Sequence, residues 1–432
     1  MGRPKKNANS TSGYVPKKIQ GLDGLIDITG ETDCLWGMLL RKASSLSRTY
    51  GFERVELPFL EDMRLYEQYY KGSPKQLASA ITADLSGKTA VVRTDFLPSV
   101  LRAYYQHKTF DKSPLSKWSF SGFTVTQDQK QALSSEYNLG FEVFGQFNHL
   151  TEAQIIGGVW EFLATLGLKD CVLEINNIGT QECQNSYSQT LLDFLSPKKY
   201  QLCDDCSEHL DGRILNVFRC VNLDCQTLIS EAPAILDFLD EVSRKHFTNI
   251  LEALDELSIP YQLNPLYAGP GGFGRTNLVI KHKTKTETLI LGEGGYHEQI
   301  MQGLCGKAHP CFGFVLSLSK IHYILESNKV TTTREQKNDV FLVPLGELAA
   351  KKALRLFKDL SGEKVSVYDH FGSAGVKNQL KQAETYHAPI ALIMGQKEAM
   401  DEMVILRDVR SGMQEVISYD KIVQEVKKRL GR

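Results

Sequence analysis

Two β-rich stretches, Lys117–Val125 and Gly140–Phe147, lie either side of a polar segment and constrain this chain more than any other feature. Alternating apolar residues over that length suit a pleated surface. The segment Phe123–Gly145, FTVTQDQKQALSSEYNLGFEVFG, therefore has the frame of a strand pair.

Helical and extended patterns alternate around it. Leu35–Tyr50 has helical periodicity and stops at Gly51. Phe52–Leu57 alternates as a short strand and ends at Pro58. Ala90–Asp95 reads as a strand leading into a helix with Arg102, Glu152–Leu166 as a helix, and Cys171–Ile175 as a strand. Residues 183–258 look mainly helical, and strands resume at Leu278–His282 and Thr288–Leu291. Residues 331–337 turn polar and read as a linker. Beyond it, apolar strands at Val340–Val343, Val365–Val367 and Ile390–Met394 alternate with helices near 347–360, 374–385 and 420–430. That alternation predicts a small parallel-type sheet with covering helices.

A chain of 432 residues with a net charge of −1 suits two or three domains and carries no global field for nucleic acid. Any RNA binding must use local basic patches, and nothing points to DNA. No apolar run is long enough to span a membrane. Residues 1–18 read as a disordered basic tail rather than a secretory signal. Nine cysteines without such a signal predict a reducing, cytoplasmic setting.

Four of those cysteines form two close pairs, Cys203-x₂-Cys206 and Cys220-x₄-Cys225. Four thiolates so spaced suit tetrahedral Zn²⁺ of the structural kind, with no open position for catalysis. His209 is an alternative ligand, and a set of four reduced thiols without metal stays open. Cys34, Cys171, Cys183, Cys305 and Cys311 are scattered and read as buried thiols. The glycines of Gly269–Gly274 lack the Lys-Ser/Thr of a P-loop and read as a tight connection.

From about Ile19 to Leu430 the order and spacing of segments resemble the histidyl-tRNA synthetase family. Gly51–Pro58 is similar to the first class II motif, and Val92–Asp95 with Val100–Ala103 to the family's LRPEGT…VVRA segment. Gly140–Gly145 is similar to its GVEVFG, Gly294 with Tyr296 to its GGRYDG, and Gly313-Phe314 to the opening of its third motif, with Val315–Ile321 fitting that motif's helix. Val343–Gly346, Lys377–Ala383 and Met394–Glu398 resemble its anticodon-binding domain. The resemblance implies an α/β (α+β) fold. A class II antiparallel-sheet domain would span 19–330, with an inserted helical zinc subdomain at about 183–258, and an α/β anticodon-binding domain would span 338–432. It also implies a homodimer through the first motif, and tRNA, including tRNA-His, as partner.

The same resemblance implies ATP-dependent amino-acid activation with Mg²⁺, in which fixed cations stabilise charge building on the α-phosphate. At those positions this chain departs from the family. The second-motif Arg is Thr124, the Glu near adenine is Thr126, and the next Arg is Gln127. The catalytic Arg of the histidine-specific segment is Ala268, the GGRYDG Arg is Gly295, and the third-motif Arg is Lys320. Lys keeps the charge but not the planar fork. The implied amino-acid pocket keeps Glu142 and Tyr296, with Asp95 for Glu, Asn138 for Gln, Leu97 for Thr and Phe273 for Tyr. In the last domain, Lys377, Lys381, Lys427, Lys428, Arg429 and Arg432 are the expected RNA contacts.

The expected function is a histidine–tRNA ligase-like protein that keeps the fold, the dimer motif and tRNA binding, with aminoacylation reduced or lost. Two alternatives stay open: an active divergent ligase, and a protein like the regulatory subunit of ATP phosphoribosyltransferase.

Overall fold

The computed structural model describes residues 20–29, 31–71, 77–85, 87–128, 130–210, 214–220, 222–269, 274–330, 339–369, 371 and 375–432. The expected tail, the linker 331–337 and Phe273 lie outside these residues. Contacts divide the chain into two units, Met1–Thr331 and Thr332–Arg432.

The first unit holds strands β1 (Glu53–Arg54), β2 (Leu60–Asp62), β3 (Thr82–Leu85), β4 (Lys88–Val92), β5 (Leu115–Gln127), β6 (Leu133–Gly145), β7 (Cys171–Asn177), β8 (Tyr261–Leu263), β9 (Gly274–Lys283), β10 (Thr288–Tyr296) and β11 (Cys311–Ser317). Eight of them form one sheet in the order β1-β5-β6-β11-β10-β9-β7-β8. Its two outer pairs, β1 with β5 and β7 with β8, are parallel and the inner pairs are antiparallel. Strands β2, β4 and β3 make a small separate sheet.

Alternation along these strands sorts the residues by face. Leu139, Phe141 and Val143 of β6, Phe312 and Leu316 of β11, and Leu278 and Ile280 of β9 point into the main core. The helices Glu31–Thr49, His149–Thr165, Glu241–Glu256 and Leu318–Ser327 contribute Leu39, Ile156, Ile250 and Ile321 to that core. Each fully buried side chain of this size contributes about 1.5–3 kcal/mol. The opposite face carries Asn138, Gly140 and Glu142 and is free to hold polar groups.

Gly140 is required on that face because a Cβ there would lie 2.0 Å from the Phe120 ring. The expected third-motif helix starts later than its sequence suggests. Val315, Leu316 and Ser317 are strand, paired with Gly140, Leu139 and Asn138. The helix begins at Leu318, where the Ser317 side chain accepts from the Lys320 N–H. A short apolar run has the same pattern in a buried strand as in a buried helix, so periodicity could not separate them.

The residues around the cysteine pairs build their own apolar cluster, including Tyr187, Leu191, Leu195, Leu228 and Ile235. Among the described residues, no helix is long and apolar enough to cross a membrane.

The second unit holds β12 (Val340–Pro344), β13 (Val367–Asp369), β14 (Ile390–Met394), β15 (Met403–Asp408) and β16 (Gln414–Ser418) in the order β13-β12-β14-β15-β16. The expected parallel sheet is therefore mixed. The first three strands are parallel, and β15 and β16 add an antiparallel hairpin not expected from the sequence pattern. β16 is mostly exposed, so it lacks the apolar alternation that marks a half-buried strand.

Candidate functional site

The polar face of the large sheet forms the floor of a cavity of about 300 Å³. Directly opposed residues share a face, so register shows how the floor is built. Glu142 of β6 lies opposite Gly313 of β11, which lies opposite Gly295 of β10. Gly295 is in turn opposite Asn277 of β9. Two glycines thus leave a trough between Glu142 and Asn277. A Cβ on Gly313 would lie 2.0 Å from Glu142 Oε2, so only glycine lets that carboxylate lie across the strand.

The structure brings together Asp95, Thr124, Asn138, Glu142 and Lys320, all of which line this cavity. Asp95 is held rigidly. Its Oδ1 accepts from the Leu97 N–H at 2.9 Å and its Oδ2 from the Tyr69 hydroxyl at 2.9 Å. Thr124 is buried, and its hydroxyl accepts from Asn138 Nδ2 at 2.9 Å. Lys320 Nζ pairs with Glu136 Oε1 at 3.1 Å, on a half-exposed rim. Glu293, also on the lining, accepts from the Tyr267 hydroxyl at 2.9 Å.

Other expected members sit elsewhere. Tyr296 is buried in the main core, with the Arg275 guanidinium 4.9 Å from its ring centre. Thr126 and Ala268 are not on the lining, and Ala268 packs against the cysteine-bearing cluster. Gly295 is on the correct face but contributes only backbone.

Sequence reasoning missed His297, which is buried and lines the cavity. Its Nδ1 is 3.0 Å from the Gly295 carbonyl oxygen and its Nε2 is 2.7 Å from Glu142 Oε1. A carbonyl oxygen only accepts, so Nδ1 carries a proton. Burial pushes the Glu142 carboxyl up from its ordinary value, and His297 partly offsets that. The one signal in the sequence was a His directly after Tyr296, in an otherwise apolar and glycine-rich stretch.

Among the described residues, the lining is short of free cations. Four carboxylates, Asp95, Glu136, Glu142 and Glu293, face one lysine that already has a carboxylate partner. Two arginines near the cavity are engaged elsewhere. Arg102 pairs with Glu61 at 2.6 Å, and Arg93 donates to the carbonyls of Leu57, Pro58 and Phe123. Lys130 is exposed and off the lining. A polyanionic nucleotide with its Mg²⁺ does not fit the donor set of the described residues, because transfer at phosphate needs preorganised positive charge.

The four cysteines of the helical insert converge. Their Sγ atoms lie within 4.8 Å of one another. Sulfurs bound about 2.3 Å from a tetrahedral zinc are about 3.8 Å apart, and Cys203 Sγ is 3.7 Å from Cys220 Sγ. The Cys203 N–H points at Cys225 Sγ (3.1 Å) and the Asn222 N–H at Cys220 Sγ (3.4 Å), as backbone donors do around bound thiolates. The residues fit a structural zinc. His209 faces Asp205 at 3.9 Å and is not part of the four-sulfur group.

In the second unit, Lys377 and Lys381 are exposed one turn apart on the helix Val376–Thr385. The terminal cations are different. Lys428 pairs with Glu425 at 3.9 Å, Arg432 with Asp339 at 2.8 Å, Lys427 with Glu363, and Arg429 with Glu415 and Glu425. Their charge is largely spent within the unit, so the local basic patch is smaller than their number implies.

Comparison with known proteins agrees with this architecture. Residues 36–321 match the family model for histidyl-tRNA synthetase, and residues 339–429 match that for an anticodon binding domain. A histidine–tRNA ligase of Dehalococcoides mccartyi is 26% identical over 94% of this chain and 99% of its own length. Apo S. aureus histidyl-tRNA synthetase superposes with a TM-score of 0.79 at 23% identity, over 95% of this chain and 100% of that one. A Bacillus halodurans protein described as an ATP phosphoribosyltransferase regulatory subunit/histidyl-tRNA synthetase gives a TM-score of 0.60 at 13% identity, over 88% and 99%. These last two likenesses concern the fold. With two thirds of its length matched by the family model, the chain belongs to the histidyl-tRNA synthetase family.

Proposed function

We propose that this protein is a tRNA-binding member of the family in which histidine activation is lost or strongly reduced. The observation that carries the reading is the charge balance of the cavity. The family reaction needs cations around the α-phosphate, and the described lining offers carboxylates and one paired lysine. What persists, a small acid-lined cavity, suits an amine better than a nucleotide. Cavity residues such as Asp95, Asn138 and Glu142 act here by binding and orientation.

Binding of tRNA rests on the anticodon-binding match and on the exposed Lys377–Lys381 pair. Phosphate contacts make such binding salt-dependent, with log K falling about 0.7 per contacted phosphate on a single strand for each log unit of salt. Filter binding at two salt concentrations, with tRNA-His and an unrelated tRNA, tests this. The expected result is salt-sensitive binding with a preference for tRNA-His, because unstacked anticodon bases carry sequence information. Equal, salt-insensitive retention of both would contradict it.

The zinc proposal uses the same full-length protein. The set Cys203, Cys206, Cys220 and Cys225 is expected to hold about one structural zinc per chain. Cys203→Ser should remove that equivalent and loosen the insert before the main sheet. Metal analysis of protein never exposed to chelator checks it, and a zinc content unchanged by Cys203→Ser would refute it.

The chain is also expected to form a homodimer through the helical segment Leu35–Tyr50 and the strand ending at Pro58. β1 is an edge strand, and the neighbouring Phe59 and Leu60 are 46% and 43% exposed. An open edge beside apolar side chains is a surface that proteins usually cover. Light scattering at micromolar concentration should give the mass of two chains; the mass of one chain would rule this interface out.

A second reading, an active divergent histidine–tRNA ligase, is favoured by the full-length match to a protein of that name. The regulatory-subunit reading is weakened by the anticodon-binding domain in the second unit.

A further inference from the structure

On the same face as the cavity floor, three metal-competent side chains converge from neighbouring segments. Glu142 comes from β6, His297 follows β10, and Cys311 opens β11. Their donor atoms lie within 4.8 Å of one another, and all three residues are buried. Cys311 precedes Gly313 by two residues, and Gly313 is opposite Glu142, so the thiol and the carboxylate share a face. The His297 N–H donates to the Cys311 carbonyl at 3.0 Å, which fixes the histidine against that strand.

The orientation of His297 is the second observation. Its Nδ1–H is committed to the Gly295 carbonyl. In the neutral ring, Nε2 then presents a lone pair toward Glu142 Oε1 at 2.7 Å. Two acceptors in that position need either a proton or a cation between them. A ligating histidine typically donates its other N–H to a backbone carbonyl, as here.

We propose that Glu142, His297 and Cys311 form a second metal site, for zinc or a similar borderline divalent ion, with one coordination position open toward the cavity. One thiolate, one imidazole and one carboxylate make a three-ligand set of the kind that leaves a fourth position for water or a ligand. Two donors each about 2.0 Å from a tetrahedral ion are about 3.3 Å apart. Metal entry therefore widens the Glu142–His297 contact by a small side-chain rotation. Two deprotonated acids would balance the charge of the ion, and Gly313 leaves the room the carboxylate uses. Glu142 and His297 both line the cavity, so the open position would receive a neutral nitrogen or sulfur donor of a small ligand. The site does not depend on whether the chain charges tRNA.

The test is metal loading of the full-length Cys203→Ser/Cys225→Ser protein, in which the four-cysteine set is disabled. Loaded with Co²⁺, it should bind about one ion per chain and show a near-ultraviolet thiolate-to-cobalt charge-transfer band. Adding Cys311→Ala should remove the band and lower the affinity at least tenfold, in the range seen for loss of metal-site groups. No bound cobalt in the parent variant, or cobalt without the thiolate band, overturns the proposal. So does a band that survives Cys311→Ala. Should Cys311→Ala not fold, the band in the parent decides together with His297→Asn, which should lower Co²⁺ affinity similarly; unchanged affinity in that variant counts against the site.

Discussion

Histidine-dependent ATP–pyrophosphate exchange by the purified chain is expected to be absent, or several orders of magnitude below that of a standard family member. Removing one preorganised donor to developing negative charge typically costs about 10²–10³ in rate. On the proposed correspondence with the family, Thr124, Ala268 and Gly295 stand where its pattern has arginines, and none offers a charge. Arg93, Arg102 and Arg275 are engaged with backbone carbonyls, Glu61 and the Tyr296 ring. Thr124→Arg alone should not rescue exchange, because residues that act as a unit are non-additive. The new side chain would also start from a buried position whose hydroxyl now holds Asn138. Robust exchange by the unaltered protein would show that other groups stabilise the phosphate.

Deleting residues 338–432 should abolish most of the affinity for tRNA. The second unit has its own apolar core, including Val340, Leu356, Leu392, Leu406 and Ile422, so removing it leaves the first unit's core intact. Lys377 and Lys381 leave with it, and they are exposed cations on one helical face. Filter binding of the truncated and full-length proteins reads the difference directly. Equal affinity would move the RNA contacts to the first unit.

The legible parts of this molecule were local. Phe141 and Val143 alternate with Glu142, and the flanking glycines sit where the Phe120 ring and the Pro114 carbonyl leave no room for a Cβ, so the central strand could be read from sequence. The close Cys pairs were legible for the same reason, since two short spacings bring four sulfurs within reach. The less legible parts were pairings at long range. His297 meets Glu142 across 155 residues, and only the register of β6, β11 and β10 brings them together. Cys311 looked like an ordinary core thiol until that register placed it beside a carboxylate. Tyr296 and His297 are adjacent, yet one faces the core and the other the cavity. The terminal cations illustrate the same limit. Read along the chain they form a basic patch, whereas Asp339, Glu363 and Glu415 fold back to pair with them.

The most direct test of the central claim is equilibrium binding of Mg·ATP to the full-length protein by calorimetric titration, with histidine absent and then present. A cavity lined by four carboxylates and one paired lysine predicts a dissociation constant weaker than about 1 mM in both conditions, less favourable than about −4 kcal/mol. Binding at micromolar concentration, tightened by histidine, would mean that the site still assembles the family's reactants and would contradict the account.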